Sequence, residues 1–144
     1  MAGALLDVSL IALAVIVTVT DLRSRLIPDP PLLIALAAAL SVCAICDSGS
    51  IAGRLLAGAA AGGFLLAAAL IRPEGMGLGD VKLAGVLGVH LGARVIEAMV
   101  IALGAGSLVG MALLVRHGWE GRRRTIPFGP FLALGALVSI GTQP

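Results

Sequence analysis

Charge is what this sequence has least of. Only 12% of its residues are Asp, Glu, Lys or Arg, against about 25% in a soluble domain. A soluble chain of 144 residues has a large polar surface to cover, and this one lacks the residues to do it. Aromatics are scarce too, with three Phe, one Trp and no Tyr. The interfacial aromatic belt that anchors many membrane helices is therefore nearly absent, and orientation must rest on charge. A net charge of +2 gives no support to nucleic acid as a partner. The two cysteines, Cys43 and Cys46, are too few for a four-ligand zinc site. They fall in an apolar run with no His beside them and read as two small apolar residues one helical turn apart, with a redox pair as the alternative. No metal and no cofactor is expected.

What the chain has in place of charge is apolar surface: 59% hydrophobic residues and a mean hydropathy of +1.10. Lipid, not water, is its main solvent. Six apolar runs are separated by short polar punctuation, at about residues 5–20, 32–46, 51–71, 80–91, 95–115 and 126–140. The first has no Lys or Arg before it and carries Asp7, so it reads as a retained helix and not as a cleaved signal. Crossing the hydrocarbon core takes about 20 helical residues. The second and sixth runs are somewhat short and the fourth is clearly short. Charge decides whether the fourth crosses. With six spans and both termini outside, the inner side collects Arg23, Arg25, Arg72, Lys82, Arg116, Arg122, Arg123 and Arg124, and the outer side keeps Arg54 and Arg94. That is the bias of the positive-inside rule. The expectation is an all-α membrane protein of six transmembrane helices, with a short fourth helix and one domain over residues 1–144. Gly58 and Gly62, and likewise Gly106 and Gly110, are four apart, a spacing that lets membrane helices approach closely.

The eight acidic residues are the informative ones. A carboxylate at mid-helix in a membrane costs roughly 2.5 to 3.5 kcal/mol on insertion scales. Asp47 and Glu120 fall in loops, Asp7 and Glu97 near outer helix ends, and Asp29 among prolines in the first inner loop, where it reads as a solvated residue. Asp21 ends the first run and Asp80 begins the fourth, so span counting places both at the inner face. Two carboxylates brought close cannot both ionise easily, and such a pair holds one shared proton. One member then takes a proton from water while the other polarises a scissile carbonyl. The structural alternative is a pair of helix-end residues facing water, with Asp80 capping its helix. Gly75, Gly77 and Gly79 alternate just before Asp80. Such an uncluttered, strand-like stretch could pair with an extended peptide. It lacks the Gly-Lys-Ser/Thr ending of a phosphate loop. Lys82 reads most simply as snorkelling to the interface, and Arg122–Arg124 as an anchor facing anionic lipid.

The stretch Gly77-Leu78-Gly79-Asp80-Val81-Lys82-Leu83 resembles the G-x-G-D-x-K-L signature of type IV prepilin peptidases. Asp21-Leu22-Arg23-Ser24-Arg25-Leu26-Ile27-Pro28 resembles the other aspartate motif of that family, and Ile126-Pro127-Phe128-Gly129-Pro130-Phe131 its C-terminal element. Three motifs in the same order on a six-span layout cover nearly the whole chain. The resemblance implies an intramembrane aspartic endopeptidase with Asp21 and Asp80 as the catalytic pair. The motif residues Arg23, Pro28, Gly77, Gly79, Lys82 and Pro127 are then the candidates for substrate contact. It implies cleavage of the short basic leader of pilin-like precursors, themselves membrane helices, at the cytoplasmic face of the inner membrane. Larger members carry paired CxxC motifs in a cytosolic region and methylate the new N-terminus. Here eleven residues separate the first two runs and the cysteines sit at the far end of the second, so a peptidase without methyltransferase activity is expected. The rival reading is a small transporter or assembly scaffold using its carboxylates for proton coupling or packing.

Overall fold

The computed structural model describes residues 2–71, 76–118 and 127–142. Among these residues six α-helices follow one another: α1 (Ala2–Ser24), α2 (Asp29–Cys46), α3 (Ile51–Ile71), α4 (Leu78–Leu91), α5 (Val95–His117) and α6 (Gly129–Gly141). Short 3-10 turns at Ser48–Ser50 and Gly92–Arg94 join α2 to α3 and α4 to α5. There is no strand among the described residues. This is the expected outcome in lipid, where a backbone must satisfy its own hydrogen bonds.

Local chemistry sets the boundaries. Arg25 closes α1 with a left-handed φ of 52°, and its N–H donates to the Asp21 carbonyl at 2.9 Å, the αL form of helix ending. Pro30 and Pro31 fall in the first turn of α2, where the missing N–H groups cost nothing. The link between α1 and α2 is thus residues 25–28 and not 21–31 as the charge and proline pattern suggested. Asp21 lies within the last turn of α1, and Asp29 is the first residue of α2 rather than a loop residue. Gly92, at φ 60°, ends α4 in a conformation that suits glycine.

Contacts fix the direction of each helix. Gly58 lies against Gly85 and Val89, and Gly62 against Val81 and Gly85, so α3 and α4 are antiparallel. Ser9 meets His90 while Asp21 lies at the Asp80 end, so α1 opposes α4. Gly106 faces Phe128 and Gly135 faces Ala98, so α5 and α6 are antiparallel. The outcome is an alternating up–down bundle. At one end lie the close of α1 and the starts of α2, α4 and α6.

The short α4 sits at the centre, packed on α1, α2, α3 and α6. Its burial nearly all round explains how so short a helix is accommodated: protein, not lipid, surrounds it. Leu83 and Leu87 of α4 join Leu10, Leu13 and Val17 of α1, Leu65 of α3 and Leu132 of α6 in one core. The outward faces are apolar as well, with Val8, Ile34, Leu56, Leu70, Ile96 and Leu108 exposed, the surface of a membrane protein and not of one in water. Among the described residues, four helical stretches are long and apolar enough to cross a bilayer: Gly3–Ser24, Asp29–Cys46, Ser48–Ile71 and Leu78–Arg116. The last has 39 residues, about twice what one crossing needs, and Gly92 divides it. The 13 residues of α6 rise about 20 Å, so α6 is as short as α4.

At the end away from Asp21, two arginines cap helix carboxyl ends. Arg54 Nη1 donates to the carbonyls of Val89 at 3.3 Å and His90 at 2.5 Å. Arg94 Nη2 donates to the Ser139 carbonyl at 2.5 Å. Cations suit these positions, where carbonyls lack partners. Glu97 is tied to α6 as well, accepting from Thr142 at 3.3 Å. Cys43 is buried against Leu6, Ala39 and Val89, and Cys46 is exposed; both are free thiols.

Candidate functional site

Asp21 and Asp80 are the only buried carboxylates among the described residues, 5% and 8% exposed. They come from different helices, the last turn of α1 and the first turn of α4. They are close enough for their charges to act on each other. Neither stands half-way along its helix, which is where a proton-coupled transporter would want one.

The two are held differently. Asp21 Oδ2 accepts the backbone N–H of Gly129 at 3.1 Å. Gly129 is the first residue of α6, so this N–H is one that its own helix leaves unpaired. The approach is tight: a Cβ at residue 129 would lie 2.6 Å from Asp21 Oδ2. Asp80 stands three residues after the N-cap Gly77, and its own N–H donates to the Gly77 carbonyl at 3.1 Å. The backbone of Gly77 also acts on the Asp80 carboxyl, as the capping alternative expects. Asp80 Oδ1 is buried with no hydrogen-bond partner, an unusual state for a carboxyl oxygen. The site therefore has one carboxylate oriented by a backbone donor and a second with an oxygen free to engage something else.

Ile27 ties the elements together. Its side chain lies 3.0 Å from where a Cβ of Gly79 would stand and 3.3 Å from where one of Gly129 would. The segment after α1 thus wedges between the starts of α4 and α6, and Pro28 then serves as N-cap of α2, extended at φ −70° and ψ 138°.

The remaining sequence candidates divide. Gly77 and Gly79 lie beside Asp80 as expected, but Gly79 is already helical. The strand-like reading of the glycine stretch is corrected there, because the first turn of α4 takes up residues 78–80. Gly75, Arg72 and Arg122–Arg124 lie outside the described residues. Pro127 is half-buried just before α6, and Arg23 is exposed at the end of α1. Lys82 points away from the carboxylates. It pairs with Asp29 at 2.8 Å, with both side chains more than half exposed. Asp29 is therefore not simply solvated, and Lys82 is not simply snorkelling. Gly129 and Ile27 are the contacts that sequence reading passed over. Both lie inside the motifs, but a role carried by a main-chain N–H leaves no trace in residue type.

A model of the type IV leader peptidase family matches residues 8–115. The chain is similar to a prepilin leader peptidase/N-methyltransferase of Bacillus subtilis (strain 168), with 34% identity over 130 residues, 90% of this chain and 52% of that protein. A protein of the same description from Burkholderia pseudomallei (strain 1026b) is 41% identical over 71 residues, 46% of this chain and 22% of its own length. One from Aeromonas hydrophila is 36% identical over 70 residues, 46% and 23% respectively. The chain thus spans about half the length, or less, of the curated relatives it matches. No solved structure matches.

Proposed function

The chain belongs to the type IV leader peptidase family, and on that premise we propose that it is an intramembrane aspartic endopeptidase. It cleaves the basic leader of pilin-like precursors at the cytoplasmic face of the inner membrane. Six helices cross, both termini lie outside, and the Asp21 end of the bundle faces the cytoplasm. The peptidase step alone is proposed, without methyl transfer. Asp21 and Asp80 are the catalytic pair.

The observation that carries this reading is the unpartnered Oδ1 of a buried Asp80 beside an Asp21 that is already oriented. The pair holds one proton between two carboxyls, because two adjacent negative charges in a poorly solvated site repel. Asp21, with the Gly129 N–H on Oδ2, is suited to carry the charge; Asp80 carries the proton. A water between them loses a proton to Asp21 as its oxygen bonds to the scissile carbonyl carbon, and the Asp80 proton moves to the carbonyl oxygen. The tetrahedral diol then collapses. The C–N bond breaks, the amine takes the proton held by Asp21, and a diol hydroxyl proton returns to Asp80. Each turnover consumes one water and leaves the pair as it began.

The test is co-expression with a precursor that has a basic leader, a glycine and an apolar helix, followed by its size and the mass of its new N-terminus. Wild type should shorten the precursor and leave an unmethylated amine. Asp21→Asn and Asp80→Asn should each remove processing by at least a thousandfold while membrane levels hold. Undiminished cleavage in either variant would sink the assignment.

A further inference from the structure

A groove of about 420 Å³ opens on the outer surface between α2, α3 and α4. Its walls are apolar, with Leu33 and Leu36 from α2, Leu55 from α3 and Val86 and Val89 from α4. It exists because α2 and α3 both lean on α4 and barely touch each other. Small residues, Gly58, Ala59 and Gly85, make part of its lining and would let another helix come close. One end is charged: Asp29 and Lys82 line it as an exposed ion pair.

We infer that this groove seats the apolar helix of the substrate precursor, with the junction between its leader and its helix at the Asp29–Lys82 pair. The inference rests on the peptidase reading and adds where the substrate docks. Depth is the first argument. Lys82 follows Asp80 by two residues, a rise of about 3 Å along α4. The groove's change from charged to apolar therefore falls at the level of the buried carboxylate. Pattern is the second. A precursor of the proposed class changes from charged to apolar along its length, and the groove runs from the exposed Asp29–Lys82 ion pair, in which Lys82 Nζ donates to both Asp29 oxygens, into a wall of Leu and Val. Access is the third. Lys82 and Asp80 point to opposite sides of α4, so the cleaved segment must cross the start of that helix. There Gly77 presents no side chain, while Ile27 packs over Gly79 and borders the path.

A second apolar groove gives the contrast. It lies between α3 and α5, lined by Ala60, Phe64, Val95, Met99 and Val100 among others. Its α5 wall is the half nearer Gly92, away from the carboxylates, and no charged residue lines it. It shares neither the depth nor the charged mouth.

The experiment uses the full chain in membranes, co-expressed with the precursor. Ala59→Trp fills the first groove and should slow processing at least tenfold. Ala60→Trp, its neighbour on α3, enters the second groove and should stay within twofold of wild type. A photo-crosslinking residue at position 55 in an Asp80→Asn background should capture the precursor, and one at position 100 should not. Should Ala59→Trp fail to insert, the crosslink decides by itself. Wild-type processing by Ala59→Trp, or a position-55 probe that captures only lipid or a second copy of this chain, overturns the inference. A wild-type chain that crosslinks the precursor but never cuts it refutes the peptidase reading and upholds the groove. One that cuts the precursor without crosslinking it there refutes the groove alone.

Discussion

Leaving a carboxyl oxygen buried and unpartnered, as Asp80 Oδ1 is, costs on the order of 1–3 kcal/mol. A residue kept at such a cost is kept for something other than the fold. Asp80→Leu should therefore abolish processing yet leave the apparent melting temperature in detergent equal to or above wild type, the usual exchange of stability for activity. A fall of many degrees would make Asp80 a structural residue. Gly129 offers the converse test. Its N–H orients Asp21 and a methyl there meets the same oxygen, so Gly129→Ala should cut processing at least tenfold with little change in membrane level. Lys82 and Asp29 are exposed, and an exposed pair contributes only about 0–1 kcal/mol; Lys82→Ala should leave stability almost unchanged. Both aspartates were legible in the sequence because charge is rare here and conspicuous in apolar surroundings. Gly129 was not, since its part is played by backbone.

Helix pairing is where sequence spacing was a partial guide. Gly58–Gly62 and Gly106–Gly110 have the same spacing and look equivalent. Only the first pair meets backbone on both members. A Cβ at Gly58 would stand 2.7 Å from the Gly85 carbonyl oxygen, and one at Gly88 would stand 2.5 Å from the Gly58 Cα. Backbone cannot rotate aside as a side chain can, so Gly88→Val should force α3 and α4 apart. The expected loss is at or above the upper end of the roughly 1–3 kcal/mol typical of overpacking, read as a lower melting temperature in detergent. Nothing lies within 4 Å of a Cβ at Gly110, so Gly110→Ala should be neutral or slightly stabilising. The short α4 was also foreseen from its run length. The sixth run was expected to be only somewhat short; α6 is as short as α4, because apolar residues preceding it continue its hydrophobic run.

The alternating directions of the six helices put residues 25–28 and 118 at one end of the bundle and residues 48 and 93 at the other. With the Asp21 end in the cytoplasm, reporters fused after residues 26 and 118 should report inside, and reporters fused after 48 and 93 outside. A reporter after 118 reading outside would mean that α4 and α5 do not both cross, and would remove Asp80 from the face assigned to it. The inner placement agrees with Arg23, Arg25 and Lys82 lying at the Asp21 end. The two arginines at the opposite end are accounted for by structure: Arg54 and Arg94 cap α4 and α6.

Composition alone determined that this chain is helical and lives in lipid, because a chain with so little charge cannot cover itself in water and an apolar medium permits few other backbones. The succession of apolar runs gave the helix order, and three motifs named the two aspartates. Only tertiary structure decided what each aspartate touches. Whether a carboxylate oxygen meets the Gly129 N–H, as on Asp21, or no protein partner, as with Asp80 Oδ1, depends on how residues 108 apart in the chain are packed, and glycine spacing shows that helices can approach closely without showing which ones do.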